Sequence, residues 1–252
     1  MTVEPDIATV PAVILAGGLA TRLRPITEKI PKALVELAGR PFIDWQLDLL
    51  AENGIRQVVM CLGYLGEMVR DHCGDGGARG MEIRYSFDGD KLMGTGGAVR
   101  RAADASHLPA DPAAPFWVMY GDSYMDIDYR AVLAAFATSG ADGLMTVFRN
   151  EGRWDTSNVI FEGGRLVKYS KRDRSPAMRY IDYGVGILRR GTLGRVPGDW
   201  PHDLAELYSA LVDEGRMIGY EVTNRFYEIG TPASLEEARQ YLRTSGRFTT
   251  KR

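Results

Sequence analysis

Over the first 130 residues the apolar positions fall into short continuous runs separated by glycines and charges. Ala12 to Ala16 is apolar throughout and stops at Gly17-Gly18, the pattern of a buried parallel strand ending in a turn. Most of the stretch from Leu19 to Gly39 lacks such a pattern and reads as loop. Pro41 then opens a helix whose Ile43, Leu47 and Leu50 share one face, with Gly54 as its stop. Gln57 to Leu62 predicts a second buried strand, Leu65 to about His72 a short helix, and Glu82 to Phe87 a third strand. Gly94-Thr95-Gly96-Gly97 predicts another glycine turn, opening a helix around Ala98 to Ala105. Phe116 to Tyr120 is again an apolar strand, and it ends at Gly121-Asp122.

Beyond that point the texture changes. Leu144 to Phe148, Val159 to Phe161, Leu166 to Tyr169 and Tyr180 to Leu188 read as strands, the middle two joined across Gly163-Gly164 as a hairpin. Their close spacing predicts antiparallel pairing. A helix from about Asp203 to Glu214, a strand at Met217 to Val222, the piece Phe226 to Gly230 and a helix from about Ala233 to Leu242 follow. From Thr244 the apolar pattern stops, which predicts a flexible tail. The whole predicts an α/β fold without internal repeats: a three-layer, Rossmann-like, mixed and mainly parallel sheet with a smaller antiparallel portion.

Composition narrows the partners. A chain of 252 residues with 45% hydrophobic content suffices for a sizeable core. A formal charge of -2 argues against nucleic acid and against a membrane surface. Two cysteines, Cys61 and Cys73, and an acidic start with no secretory pattern point to the cytoplasm, and no apolar run approaches the roughly 20 residues that cross a bilayer. The basic residues matter locally. Between Thr21 and Lys32 stand Arg22, Arg24, Lys29 and Lys32 against the single acid Glu28, and just before them Gly17-Gly18 leave backbone N–H groups open to close approach. A polyanion is the ligand such a loop selects. In a parallel sheet Asp122 would share the carboxyl edge with Gly17-Gly18. The two standard glycine signatures, GxGxxG and GxxxxGK[ST], are absent here.

These residues carry a resemblance. Leu15-Ala16-Gly17-Gly18, Thr21-Arg22-Leu23, Pro25, Thr27 and Pro31-Lys32 resemble the signature of the sugar-1-phosphate nucleotidylyltransferases. Nine fixed positions from Gly17 to Lys32 would coincide by chance on the order of 10⁻¹¹ times per starting position. The likeness extends through Gly94-Thr95-Gly96-Gly97-Ala98 and Gly121-Asp122 to Glu228-Ile229-Gly230-Thr231-Pro232, and is nearest to mannose- or heptose-1-phosphate guanylyltransferases and N-acetylmuramate-1-phosphate uridylyltransferases.

The resemblance implies one domain over residues 1–252, with a nucleotide-binding half at about 10–130, a sugar-phosphate half at about 131–243 and a tail at 244–252. The chain's end soon after Leu242 carries the expectation of one reaction, with no appended repeat domain. A sugar 1-phosphate would attack the α-phosphorus of a nucleoside triphosphate and release pyrophosphate. Like charges at about 4 Å cost roughly 4 kcal/mol at an effective dielectric near 20, so cations are required. By the resemblance Arg22 and Lys32 supply them. By the same resemblance Leu15, Ala16, Gly17, Gly18, Thr21, Gly94, Thr95, Gly96 and Gly97 are expected to bind the nucleotide, and Lys171, Asp182, Tyr183 and Gly184 the sugar phosphate. The resemblance also implies that Asp122 and Glu228 hold Mg²⁺, a hard ion suited to carboxylates and phosphates.

Three positions depart from the family pattern. Glu228 stands where Asp is usual, Ser170 where the residue before the lysine is commonly acidic, and Tyr183 where many relatives carry Asn before the glycine. GTP with a mannose- or heptose-like 1-phosphate is the first substrate choice. UTP with an amino-sugar 1-phosphate, CTP with an alcohol phosphate, and a non-catalytic sugar-nucleotide sensor stay open. A second copy of the chain is a candidate partner. Trp45, Trp117, Trp154 and Trp200 are expected to pack rather than to stack on a base.

Overall fold

The computed structural model describes residues 5–198 and 201–245, so Trp200 and positions 246–252 of the expected tail lie outside the described residues. Thirteen strands and six helices are formed there. The strands are β1 (Ala12–Ala16), β2 (Glu36–Leu37), β3 (Arg40–Pro41), β4 (Gln57–Leu62), β5 (Glu82–Phe87), β6 (Pro115–Tyr120), β7 (Ser123–Tyr124), β8 (Gly143–Arg149), β9 (Val159–Glu162), β10 (Arg165–Tyr169), β11 (Tyr180–Arg189), β12 (Met217–Val222) and β13 (Tyr227–Glu228). The helices are α1 (Phe42–Glu52), α2 (Gly66–Cys73), α3 (Gly94–Asp104), α4 (Tyr129–Ser139), α5 (Leu204–Asp213) and α6 (Pro232–Thr244).

Nine strands join in one sheet whose main path runs β10-β9-β11-β6-β1-β4-β5, with β8 pairing both β11 and β12. The pairs β6/β1, β1/β4 and β4/β5 are parallel, and β11 turns the sheet antiparallel against β6, β8 and β9. The second half is not wholly antiparallel, because β12 runs parallel to β8. That pairing spans some 70 residues of sequence and leaves no local signature.

Alternation along the central strands sorts side chains onto two faces. Ile14, Met60 and Trp117 join one core with Ile43 and Leu47 of α1, Val69 of α2 and Val132 and Phe136 of α4. Val13, Val59 and Val118 join the other with Val99 of α3 and Leu207 and Leu211 of α5. The fold is therefore three layers of helix, sheet and helix. A third cluster packs Leu235 and Leu242 of α6 against Phe42 and Trp45 of α1 and holds Ile229 between them. Among the described residues no helix is long and apolar enough to cross a membrane.

Helix α4 was not anticipated from the apolar pattern, although its signals are present. Asp128 caps its start by accepting from the Ala131 N–H at 3.0 Å, and Gly140 ends it with a φ of +68°. Helix α3 begins at Gly94 rather than after the glycines, so Gly94 to Gly97 form its first turn. Trp45 and Trp117 are buried as expected. Trp154 is instead 39% exposed, its ring 5.5 Å from Phe148 and its face 4.8 Å from the Arg225 guanidinium.

The carboxyl ends of β1 and β6 meet closely. The Gly121 N–H donates to the Leu15 carbonyl at 2.9 Å, and a Cβ on Gly121 would lie 2.8 Å from the Ala16 Cβ and 2.9 Å from the Leu15 oxygen. Gly121→Ala is therefore expected to destabilise the fold by about 1–3 kcal/mol, as overpacking does, and denaturant titration of the two proteins measures it.

Candidate active site

Two cavities open at this sheet edge and share a wall. The first, about 400 Å³, is lined by Leu15, Ala16, Gly17 and Gly18 at the end of β1, by Thr21, Arg22 and Lys32 from the basic loop, and by Gly94 and Thr95 of α3. The second, about 290 Å³, is lined by Lys171, Asp182, Tyr183, Gly184 and Glu228. Tyr120, which ends β6, and Asp122, two residues beyond it, line both.

The basic loop folds as three short 3₁₀ turns, Thr21–Leu23, Ile26–Glu28 and Lys32–Leu34. Leu23 and Thr27 point inward, and the buried Thr27 hydroxyl donates to the Ala20 carbonyl at 2.8 Å. These signature residues shape the loop, and they leave Arg22 exposed at the cavity. Arg24 and Lys29 are outside the cavity lining, so the local basic excess divides into two cations that reach the site and two that face solvent. Lys32 donates to Asp122 Oδ2 at 2.7 Å, with its side chain 16% exposed.

Glu228 arrives from the far end of the chain. The two-stranded ladder β7–β13 sets it opposite Ser123, and the Ile229 N–H donates to the Asp122 carbonyl at 2.9 Å. Burial raises the Glu228 carboxyl above its ordinary range, and the nearby Asp122 charge raises it further, against the opposing pull of Lys32 and Arg22. A buried carboxyl held up by a neighbouring carboxylate is a donor that a divalent cation relieves. Among the described residues the two form a pair and not a group of three or more acidic, histidine or cysteine donors. This fits Mg²⁺, which usually takes one or two carboxylates and completes its shell with water and phosphate oxygens.

Gly96 and Gly97 do not face the first cavity. Their N–H groups donate to the His202 carbonyl at 2.8 and 3.2 Å, and a Cβ on Gly94 would lie 2.6 Å from that oxygen. These glycines serve the close approach of the segment before α5, leaving Gly94 and Thr95 as the members at the cavity wall.

In the second cavity the Lys171 ammonium lies 3.3 Å from Asp203 Oδ1 and 3.5 Å from the Tyr120 hydroxyl. Ser170 makes the turn that presents it, its hydroxyl oxygen accepting from the Arg172 and Asp173 N–H groups at 3.2 and 2.8 Å. An acid is thus replaced by a turn former. Asp182 spends one oxygen on the Gly184 N–H at 3.0 Å, and burial raises its carboxyl above the ordinary value. Gly184 has a φ of +95° and its Cα faces the Tyr120 ring, where a Cβ would come within 3.1 Å. Tyr183 is 2% exposed and packs edge-on to Phe226 at 5.7 Å, so its ring is mainly a core element.

Polar lining residues that the sequence does not single out include Asp88 in the first cavity, and Asp155, Asn158 and Arg174 in the second. Asp88 follows the carboxyl end of β5 as Asp122 follows β6, and that repeated placement was the available signal. It is 7% exposed, accepts from the Met93 N–H at 3.1 Å through Oδ2, and burial raises its carboxyl above the ordinary value.

Comparison with known proteins joins these observations. N-acetylmuramate alpha-1-phosphate uridylyltransferase of Neisseria meningitidis is 30% identical over 90% of this chain and 96% of that relative. Mannose-1-phosphate guanylyltransferase catalytic subunit beta of Danio rerio is 28% identical over 88% of this chain and 61% of the relative, and mannose-1-phosphate guanylyltransferase of Mycobacterium tuberculosis is 30% identical over 88% and 62%. The chain thus spans about three fifths of the length of these guanylyltransferases. Among solved structures, a candidate glucose-1-phosphate thymidylyltransferase from Bacillus anthracis, in complex with sucrose, has a TM-score of 0.82 at 19% identity, over 93% of this chain and 96% of that one. HddC from Yersinia pseudotuberculosis, complexed with GMP-PN, has a TM-score of 0.70 at 22% identity, over 92% and 99%. At these identities the likeness is one of fold. The family model described as nucleotidyl transferase matches residues 11–158, more than half of the chain, and with the relatives above it establishes that the chain belongs to the nucleotidyl transferase family.

Proposed function

We propose that this protein transfers a nucleoside monophosphate from a nucleoside triphosphate to a sugar 1-phosphate. The observation that carries this is the shared wall. Tyr120 and Asp122 border a cavity with Arg22 and Lys32 on one side and a cavity with Lys171 on the other, so two phosphorylated substrates would meet there. The nucleotide occupies the half at about 10–130 and the sugar phosphate the half at about 131–243, together forming one domain.

An ionised oxygen of the sugar 1-phosphate forms the new bond to the α-phosphorus, the bond to the bridging oxygen breaks, and pyrophosphate leaves with that electron pair. No general base is required, because the attacking oxygen carries no proton. Arg22 stabilises charge gathering on the α-phosphate, Lys32 holds the reacting phosphates, and Lys171 holds the acceptor phosphate. Asp122 and Glu228 would hold Mg²⁺, which when bound neutralises phosphate charge.

GTP is the first choice of donor, with a mannose- or heptose-like acceptor. Asp88 supports it. A carboxylate only accepts hydrogen bonds, and guanine offers N1–H and N2–H side by side, whereas uracil and thymine offer one N–H between two carbonyls. Met93 takes one oxygen of Asp88 and leaves the other for a base. The test is pyrophosphate release from each of five triphosphates with Mg²⁺ and a set of sugar 1-phosphates. GTP should give the highest kcat/KM, and Asp88→Asn should reduce its lead over UTP by about tenfold, the effect of losing a hydrogen bond to a charged group. Release from no pair by a folded protein would remove the activity itself.

A second reading, uridylyl transfer to N-acetylmuramate 1-phosphate, is favoured by the Neisseria relative, matched over 96% of its length. Arg174, steadied by the Thr156 and Ser157 carbonyls, offers a cation for the carboxylate of that acceptor. The same substrate matrix separates the two.

A further inference from the structure

The two cavities are tied together through a residue that belongs to neither lining. Asp203 is the N-cap of α5, and its Oδ1 gathers three donors: the Ala205 N–H at 2.9 Å, the Thr95 hydroxyl at 3.0 Å and the Lys171 ammonium at 3.3 Å. The Thr95 hydroxyl in turn accepts from the Leu204 N–H at 2.8 Å. Thr95 stands in the wall of the first cavity and Lys171 in that of the second.

Capping alone does not call for this arrangement. A helix cap needs one side-chain oxygen, and Asn or Ser serves about as well as Asp. A carboxylate adds a fixed charge beside a lysine whose flexible four-carbon stem would otherwise sample many directions. With Asp203 taking one of three ammonium donors at 3.3 Å and the Tyr120 hydroxyl 3.5 Å away beside another, a donor is left for the acceptor cavity that Lys171 lines. Burial pulls the Asp203 carboxyl up, but the Ala205 N–H, the Lys171 charge and the Thr95 hydroxyl hold it below the ordinary carboxylate value, which favours its charged form.

We propose that Asp203 is a positioning residue: it aims Lys171 at the acceptor phosphate and ties that lysine to α3 of the nucleotide side. This rests on the reading of Lys171 given under the proposed function. Asp203→Asn keeps the cap and removes the charge. It should raise the KM for the sugar 1-phosphate about fivefold, the most that a half-exposed ion pair usually contributes, and leave the triphosphate KM within about twofold. The melting temperature should stay within about 2 °C, and Asp203→Ser, a second capping variant, should show the same acceptor effect.

The control is Lys171→Met. If Asp203 acts through the lysine, adding Asp203→Asn to Lys171→Met changes the acceptor KM no further. An unchanged acceptor KM in Asp203→Asn, or an effect of full size that persists without the lysine, overturns the proposal. An unchanged acceptor KM in Lys171→Met removes the reading of Lys171 and the proposal with it, and the two failures are thereby told apart.

Discussion

Arg22→Gln should lower kcat by about 10² to 10³-fold, the usual cost of deleting one donor that stabilises transition-state charge. Glutamine keeps much of the reach and loses the charge. Arg22 is exposed at the mouth of the first cavity, and its guanidinium lies 3.1 Å from where a Cβ on Gly230 would stand, which puts it beside the Glu228 segment. Because its side chain supports no core contact, the melting temperature should move by no more than about 2 °C, as for an ordinary surface substitution. Pyrophosphate release under saturating substrates gives kcat, and thermal unfolding gives the control. A kcat within twofold of the parent would take Arg22 out of the chemistry.

Asp122→Asn should cost about 10²-fold in kcat and raise the Mg²⁺ concentration needed for half-maximal rate. Asparagine is chosen because its carbonyl oxygen still accepts from Lys32, which donates to Asp122 Oδ2 at 2.7 Å, so the half-buried ammonium keeps a partner. What is lost is the second negative charge of the pair. Glu228, whose carboxyl Asp122 holds up, should titrate lower in this variant. A Mg²⁺ titration of the rate, read against the parent, checks the prediction. An unchanged half-saturating concentration would show that the carboxylate does not take part in binding the ion.

Much of this site was legible in the chain because its parts are local. Ala12 to Ala16 is apolar throughout and ends at Gly17-Gly18, so both the strand and its turn could be read, and Lys32 and Arg22 lie within one loop. Asp122 was legible as a carboxylate directly after an apolar strand. Asp88 stands just after β5 but is less legible, since Glu82 to Phe87 mixes charged and apolar residues and looks less like a sheet centre. Helix α4 is hard to read because alanines dilute the stripe made by Val132, Leu133 and Phe136. The parallel β8/β12 pair and the occupation of the Gly96 and Gly97 N–H groups by His202 depend on contacts across about 70 and 105 residues of chain, and no periodicity encodes them.

The wall of Tyr120 and Asp122 divides more than space. With the assignments proposed above, base preference resides in the loop after β5, around Asp88, and acceptor preference in the segments carrying Asp155 and Arg174, which adjoin other strands. Arg22, Lys32, Asp122 and Glu228 sit between the two, on the basic loop, just after β6 and on β13. Donor and acceptor choice can therefore drift separately while the reaction is inherited intact. The guanylyl and uridylyl enzymes among its relatives have the variety that such a partition would generate.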